Sequence, residues 1–66
     1  MSGLVVVSQA GCQPCTVIKQ ALHNKGIQFT VVDISQRPHY SAVPAIEYNG
    51  RVYIGADAFT LVKSFR

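Results

Sequence analysis

The chain has 66 residues, a formal net charge of +3 and a hydrophobic content of 48%. This length leaves room for one domain over residues 1–66, and so apolar a composition excludes a solvated, disordered chain. The six basic residues are scattered along the sequence, whereas a nucleic-acid interface needs them clustered in a patch or a stripe. We therefore expect one compact domain that does not bind nucleic acid.

We expect the N-terminal segment to carry no targeting signal. Its apolar run Leu4–Val7 is much shorter than the roughly 20 residues of a membrane-spanning helix, and no basic segment precedes it. We therefore expect a cytoplasmic protein without a membrane association. Structural disulfides are rare in that reducing compartment, so the chain's two cysteines indicate a reactive pair rather than a disulfide that stabilises the fold.

The first half of the sequence predicts a strand, a helix and a second strand. Leu4–Val7 is a short β-branched run typical of a buried strand. Residues 13–24 have apolar side chains at helical spacing, with Pro14 in the first turn and Gly26 placed for a C-terminal cap. Residues 28–34 predict the second strand, which a helical crossover makes parallel to the first.

The second half predicts a hairpin and a last helix. Ala45–Tyr48 and Arg51–Ile54 flank Asn49-Gly50, a strong signal for two antiparallel strands. Asp57 is placed to cap a helix. The apolar residues of that helix recur at i, i+3, i+4 and i+7, which gives one buried stripe: Ala58, Leu61, Val62 and Phe65. The order predicts an α/β fold in which two helices share or divide the faces of a four-stranded mixed sheet.

Two cysteines, Cys12 and Cys15, lie where the loop after the first strand meets the start of the first helix. Unpaired backbone N–H groups and the positive end of the helix dipole favour a thiolate at Cys12, which we expect to be the nucleophile. Cys15 follows one turn later on the same face, near enough to attack a mixed disulfide formed at Cys12. We expect the intervening Gln13 and Pro14 to tune the reduction potential.

Zinc binding is the main alternative for a Cys-x-x-Cys pair. The thiol and imidazole ligands that the chain offers are Cys12, Cys15, His23 and His39. On a continuous helix His23 lies about 12 Å along the axis from Cys15, too far to share one ion with both sulfurs. We therefore expect no metal.

Four stretches taken together resemble the glutaredoxin family: Gly11-Cys12-Gln13-Pro14-Cys15, Phe29–Ile34, Ala42–Ile46 and Ile54–Asp57. The region from Gly11 to Ser35 is similar to the NrdH-type redoxins. The resemblance implies a minimal thioredoxin-like fold, in which Pro44 is a cis-proline that faces the cysteines. It further implies that the backbone of Val43 pairs with an extended substrate or with glutathione. The residues expected to complete a glutathione groove are Arg37, Gly55 and Asp57.

The sequence departs from the family's pattern in several ways: a single Gly55 stands for its paired glycines, the Trp-Ser-Gly-Phe-Arg stretch of the NrdH redoxins is absent, and two further departures affect the fold and the site. Only the short segment Ser35–Ala42 precedes Val43 and Pro44, where the family usually has a full second helix, so we expect that helix to be absent or reduced to a turn. Gln9 replaces a lysine that relatives commonly carry shortly before the first cysteine. This change removes a cation that would favour both the thiolate and an anionic ligand.

The resemblance implies a monomeric thiol-disulfide oxidoreductase with a redox-active Cys12–Cys15 disulfide and no bound cofactor. Its expected substrates are protein disulfides, ribonucleotide reductase among them, with thioredoxin reductase or glutathione as the electron donor. One alternative is a glutathione-dependent deglutathionylating enzyme that uses Cys12 alone. Another is a non-catalytic binding module, which could bridge an iron-sulfur cluster between two copies.

Overall fold

The computed structural model describes residues 3–65. Its elements, in chain order, are β1 (Leu4–Ser8), α1 (Gln13–Asn24), β2 (Thr30–Asp33), a 3-10 turn (Ile34–Gln36), β3 (Ala45–Tyr48), β4 (Arg51–Ile54) and α2 (Ala56–Ser64). The strand order is β2-β1-β3-β4. β1 and β2 are parallel, and the other two pairs are antiparallel. The predicted four-stranded mixed sheet with two helices is thus confirmed.

Both helices pack against the same face of the sheet. The fully or nearly buried cluster on this face combines residues of β1, β3, α1 and α2: Leu4, Val6, Ile46, Ile18, Leu22, Ala58 and Val62. Burial of a Val, Leu or Ile side chain contributes roughly 1.5–3 kcal/mol. This cluster is therefore the main source of the fold's stability, and its residues fix α1 over the centre of the sheet.

The opposite face of the sheet carries no helix within residues 3–65. Because side chains alternate along strands, the pairing register places eight strand residues there: Val5, Val7, Thr30, Val32, Ala45, Glu47, Val52 and Ile54. Val7 and Ala45 are fully buried, whereas Val52 is 48% exposed. We call this side the open face, because part of its apolar surface is accessible to solvent.

The connection from β2 to β3 contains one 3-10 turn where the family usually has a helix. The carboxylate of Asp33 accepts the backbone N–H of Ser35 at 2.9 Å, and this hydrogen bond lowers the pKa of Asp33. The predicted reduction of the second helix to a turn is confirmed. The predicted extent of the second strand is wrong at both ends, since β2 begins at Thr30 and Ile34 already belongs to the turn.

The predicted hairpin between β3 and β4 is confirmed. Asn49 and Gly50 both have positive φ, 53° and 75°, as a two-residue type I′ turn requires.

The prediction that Asp57 caps α2 is wrong. The helix begins at Ala56 after Gly55, which has a φ of 63° that glycine adopts without strain, and no side chain caps it. Asp57 lies exposed in the first turn, where its charge still interacts favourably with the helix dipole.

The two helices have 12 and 9 residues. Within the described part of the chain, neither has the length and apolar character that crossing a bilayer requires.

The last turn of α1 is closed by backbone hydrogen bonds from the N–H of Gly26 to the carbonyl of His23 and from the N–H of Ile27 to the carbonyl of Leu22, each 3.0 Å long. The predicted glycine cap of α1 is therefore confirmed.

Candidate active site

Cys12 and Cys15 form a disulfide at the start of α1, and their Cα atoms are 5.3 Å apart. Cys12 is the N-cap residue and is partly exposed, whereas Cys15 lies in the first turn with 1% of its surface exposed. The backbone N–H of Cys15 donates to Sγ of Cys12 at 3.2 Å. In the reduced protein this bond and the helix N-terminus favour negative charge on the sulfur of Cys12. The predicted nucleophile is thus the accessible sulfur, and the predicted resolving thiol lies behind it.

Local hydrogen bonds fix the backbone of Cys12. Its N–H donates to the carbonyl of Gln9 at 3.1 Å, and its carbonyl accepts the N–H of Thr16 at 3.3 Å. The hydroxyl of Thr16 donates to the same carbonyl. Gln13 and Pro14 are exposed in the first turn, where the helix needs no N–H from the proline. These two residues therefore border the sulfur that a partner would approach, and their predicted effect on the reduction potential stays a prediction.

A second segment, Val43-Pro44, lies at the same edge of the sheet as the cysteines. The Val43–Pro44 peptide bond is cis. Pro44 is buried, and its carbonyl accepts the N–H of Gly55 at 2.8 Å. The next residue, Ala45, pairs with Val7 near the end of β1, the strand that leads into the cysteine loop. The fold therefore brings Val43, Pro44 and Gly55 to the cysteine edge.

The other residues predicted to bind glutathione are placed differently. Asp57 is exposed in the first turn of α2. Arg37 lies in the β2–β3 connection, and its guanidinium donates from Nε and Nη2 to Glu47 at 2.6 and 3.3 Å. The charge of Arg37 is thus engaged on the open face, while its binding of glutathione stays a prediction. Within residues 3–65, no three His, Cys, Asp or Glu side chains are grouped as a metal site would require.

Sequence reasoning missed a polar cluster formed by Arg37, Tyr40 and Glu47, which we call the Glu47 cluster. The two carboxylate oxygens accept two bonds from Arg37 and one from the hydroxyl of Tyr40. The hydrogen bond from Arg37 and then that from Tyr40 lower the pKa of Glu47, and the bond to Glu47 raises the pKa of Tyr40. A carboxylate in an inner strand, on the same face as the buried Ala45, is the sequence signal that could have revealed it.

We expect Glu47→Gln to destabilise the fold by about 1 kcal/mol near pH 7, because one amide oxygen replaces two charged acceptors. Arg37, Tyr40 and the nearby His39 all lower the folded-state pKa of Glu47. The stabilisation is therefore complete above the ordinary pKa of 4.5 and is lost as the pH falls through the lower folded-state value. Urea unfolding of both proteins near neutral pH and near pH 3 measures this.

The acidic measurement is the internal control for that comparison. The free-energy difference between wild type and Glu47→Gln should shrink as the pH falls, because protonation removes the carboxylate of the wild type. A difference of the same size at both pH values would show that the charge of Glu47 does not stabilise the fold.

The fold and the paired cysteines define the class, a thioredoxin-like domain with a Cys-x-x-Cys disulfide at a helix start. The family model described as Glutaredoxin matches residues 4–52, which is most of the chain. The chain belongs to the glutaredoxin family. No curated protein matches it in sequence.

Solved structures show the same fold. The thioredoxin-like protein BC3987, crystallised as a mutant, has a TM-score of 0.77 at 18% identity, covering 96% of this chain and 99% of its own. The NrdH-redoxin from Escherichia coli has a TM-score of 0.76 at 14% identity, with 96% and 93% covered. Glutaredoxin from Brucella melitensis has a TM-score of 0.71 at 21% identity, with 92% and 77% covered. These likenesses confirm the thioredoxin-like fold.

Proposed function

We propose that this chain is a cytoplasmic, monomeric thiol-disulfide oxidoreductase that reduces disulfides in other proteins. The observation that carries the proposal is the asymmetry of the cysteine pair. Cys12 is partly exposed and accepts a backbone N–H at the helix start, while Cys15 is buried directly behind it. A reactive thiolate needs access and a stabilising environment, and a resolving thiol needs proximity without access. Membership in the glutaredoxin family supports the same chemistry.

The proposed reaction has two exchange steps. The thiolate of Cys12 attacks one sulfur of the partner's disulfide, that S–S bond breaks, and one partner thiolate leaves. Cys15 then loses its proton to solvent and attacks Sγ of Cys12, so the mixed disulfide breaks and the second partner thiolate leaves. Both released thiolates take up protons. Two electrons pass to the partner, which becomes a dithiol, and Cys12 and Cys15 become a disulfide.

Val43 and Pro44 are the proposed docking segment for the partner. They lie at the cysteine edge, and the connection that contains them has no strand on its outer side within residues 3–65. An extended partner chain could pair there with the backbone of Val43, because unpaired backbone groups bind extended peptides. Resemblance to the NrdH-type redoxins makes ribonucleotide reductase one such partner. Gln13 and Pro14 border the approach to Cys12.

Thioredoxin reductase is the electron donor that we favour over glutathione. The NrdH-redoxin from Escherichia coli has a thioredoxin-like activity profile. In this chain Gln9 supplies no charge beside the cysteines, and the guanidinium of Arg37 is hydrogen-bonded to the carboxylate of Glu47. Both features weaken the attraction for the carboxylates of glutathione.

Parallel turnover assays test the proposed function. The reduced protein is given insulin as the disulfide substrate and NADPH, together with either thioredoxin reductase or glutathione and glutathione reductase. We expect sustained reduction with the first pair and much slower reduction with the second. Faster turnover with glutathione would favour the deglutathionylating alternative, and no turnover with either would contradict the oxidoreductase function.

We expect Cys15→Ser to trap covalent complexes with partner proteins. Cys12 still attacks a disulfide, but no second thiol is present to release the mixed disulfide. Nonreducing gel electrophoresis after incubation with insulin measures the trapped complex, which should approach one partner chain per protein molecule.

The matched control is Cys12→Ser, in which the buried Cys15 is the remaining thiol. We expect no complex from this variant, since 1% of the surface of Cys15 is exposed in the disulfide form. Complexes of equal yield from both variants would contradict the assigned roles of nucleophile and resolving thiol.

A further inference from the structure

Glu47 occupies an unusual place for a carboxylate. It lies in β3, an inner strand, between Val5 of β1 and Val52 of β4. Its side chain is 25% exposed, so most of it has been removed from water among apolar neighbours. Burying a charge in such surroundings is costly unless partners satisfy it. The carboxylate of Glu47 therefore needs partners that satisfy its charge.

The partners of Glu47 all come from one segment, the β2–β3 connection. Arg37 donates from Nε and Nη2, and Tyr40 donates from its hydroxyl. Backbone bonds brace the same residues, because Arg37 N–H donates to Ile34 at 2.9 Å and Tyr40 N–H donates to Arg37 at 3.0 Å. The Glu47 cluster thus fastens the middle of a connection that has no helix of its own beyond one turn.

The fastened point lies close to the proposed docking segment. Val43 is three residues beyond Tyr40 in the sequence. On its other side the chain is fixed by the bond from Gly55 to the carbonyl of Pro44 and by the start of β3. Residues 41–43 are therefore held between two fixed points, and one of these is the carboxylate of Glu47.

We propose that Glu47 is a positioning residue for disulfide exchange, which acts through Arg37 and Tyr40 to hold residues 41–43 in the conformation that receives the partner chain. The proposal rests on the proposed function, since it takes the backbone of Val43 as the partner's docking site. The Glu47 cluster supplies the side-chain hydrogen bonds that hold this connection to β3. It contacts neither cysteine and takes no part in the exchange of electrons.

The test compares wild type with Glu47→Gln and Tyr40→Phe in steady-state reduction of insulin. Glutamine offers one neutral oxygen to three donors, and phenylalanine removes a single donor. We expect KM to rise roughly 3- to 10-fold in Glu47→Gln and less in Tyr40→Phe, as the loss of about one hydrogen bond predicts. The kcat should stay within about twofold, because the interaction serves binding and not the transition state alone.

Two further readouts separate positioning from a general loss of structure. The rate at which iodoacetamide alkylates Cys12 should be unchanged, because backbone bonds within the cysteine loop and α1 hold that residue. Amide hydrogen exchange at residue 40, whose N–H donates to the carbonyl of Arg37 at 3.0 Å, should be faster in both variants. The control is Asp33→Asn, which removes a carboxylate at the start of the same connection while its side-chain oxygen still accepts from Ser35. It should leave KM and the exchange at residue 40 unchanged.

Unchanged KM and unchanged exchange at residue 40 in Glu47→Gln, beside a lower melting temperature, would overturn the proposal and leave Glu47 a purely structural residue. A parallel fall in the alkylation of Cys12 would overturn it as well, because the effect would then reach the nucleophile. Should the wild type reduce no disulfide at all, the proposed function fails, and unaltered exchange at residue 40 would show separately that Glu47 does not hold the connection.

Discussion

Replacing Cys12 with Ser is expected to abolish disulfide reduction, with a loss of roughly a thousandfold or more. A serine hydroxyl does not ionise near neutral pH, so it cannot attack a disulfide as the thiolate does. The buried Cys15 is badly placed to substitute for it. Steady-state reduction of insulin by the variant and by wild type measures this loss.

The fold should survive the same substitution, which makes the result specific. Cys12 is the N-cap of α1 and accepts the N–H of Cys15. Serine is a favoured N-cap residue and can accept the same bond. We therefore expect the melting temperature of Cys12→Ser to match that of reduced wild type. Residual activity above a few per cent of wild type would mean that another group is the nucleophile.

Replacing Ile18 with Ala is expected to unfold the domain or to leave it barely stable. Ile18 is fully buried and packs in the cluster that joins both helices to the sheet. Such a truncation costs about 2–5 kcal/mol. A domain of this length has a total stability of roughly 3–10 kcal/mol, by the usual value per residue. Circular dichroism during thermal unfolding should show a melting temperature lower by about 4–8 °C for each kcal/mol of unfolding free energy lost.

The adjacent residue provides the matched control. Val17 lies on the same helix but is 52% exposed, so Val17→Ala removes little packing. Alanine also has the higher helix propensity, which offsets the small loss. We expect its melting temperature to lie within a few degrees of wild type. Equal losses from both variants would contradict the assignment of the helix face that packs on the sheet.

Elements whose signals are local could be predicted from the sequence. The bounds of α1 agree with the structure because a proline in its first turn and Gly26 after its end mark them. Asn49-Gly50 likewise fixed the hairpin through its own backbone preference. The paired cysteines were identified for the same reason, since three residues of spacing place both sulfurs at one helix end.

Features that depend on tertiary placement could not be predicted in this way. The apolar stripe of each helix shows which side is buried but not which face of the sheet it covers, and the structure puts both helices on one face. The start of α2 depends on the backbone of Gly55 rather than on the carboxylate of Asp57. The partners of Glu47 lie 10 and 7 residues away in sequence, and the path of the β2–β3 connection brings them to the carboxylate.

A single-turnover experiment follows the two electrons from the cysteine pair to the partner. Reduced wild type is mixed with an equal amount of a protein disulfide in the absence of oxygen, and both proteins are mapped by mass spectrometry. We expect a Cys12–Cys15 disulfide to form in step with two new thiols in the partner, because two electrons pass from one pair to the other. A partner that stays oxidised while the two cysteines remain thiols would contradict it.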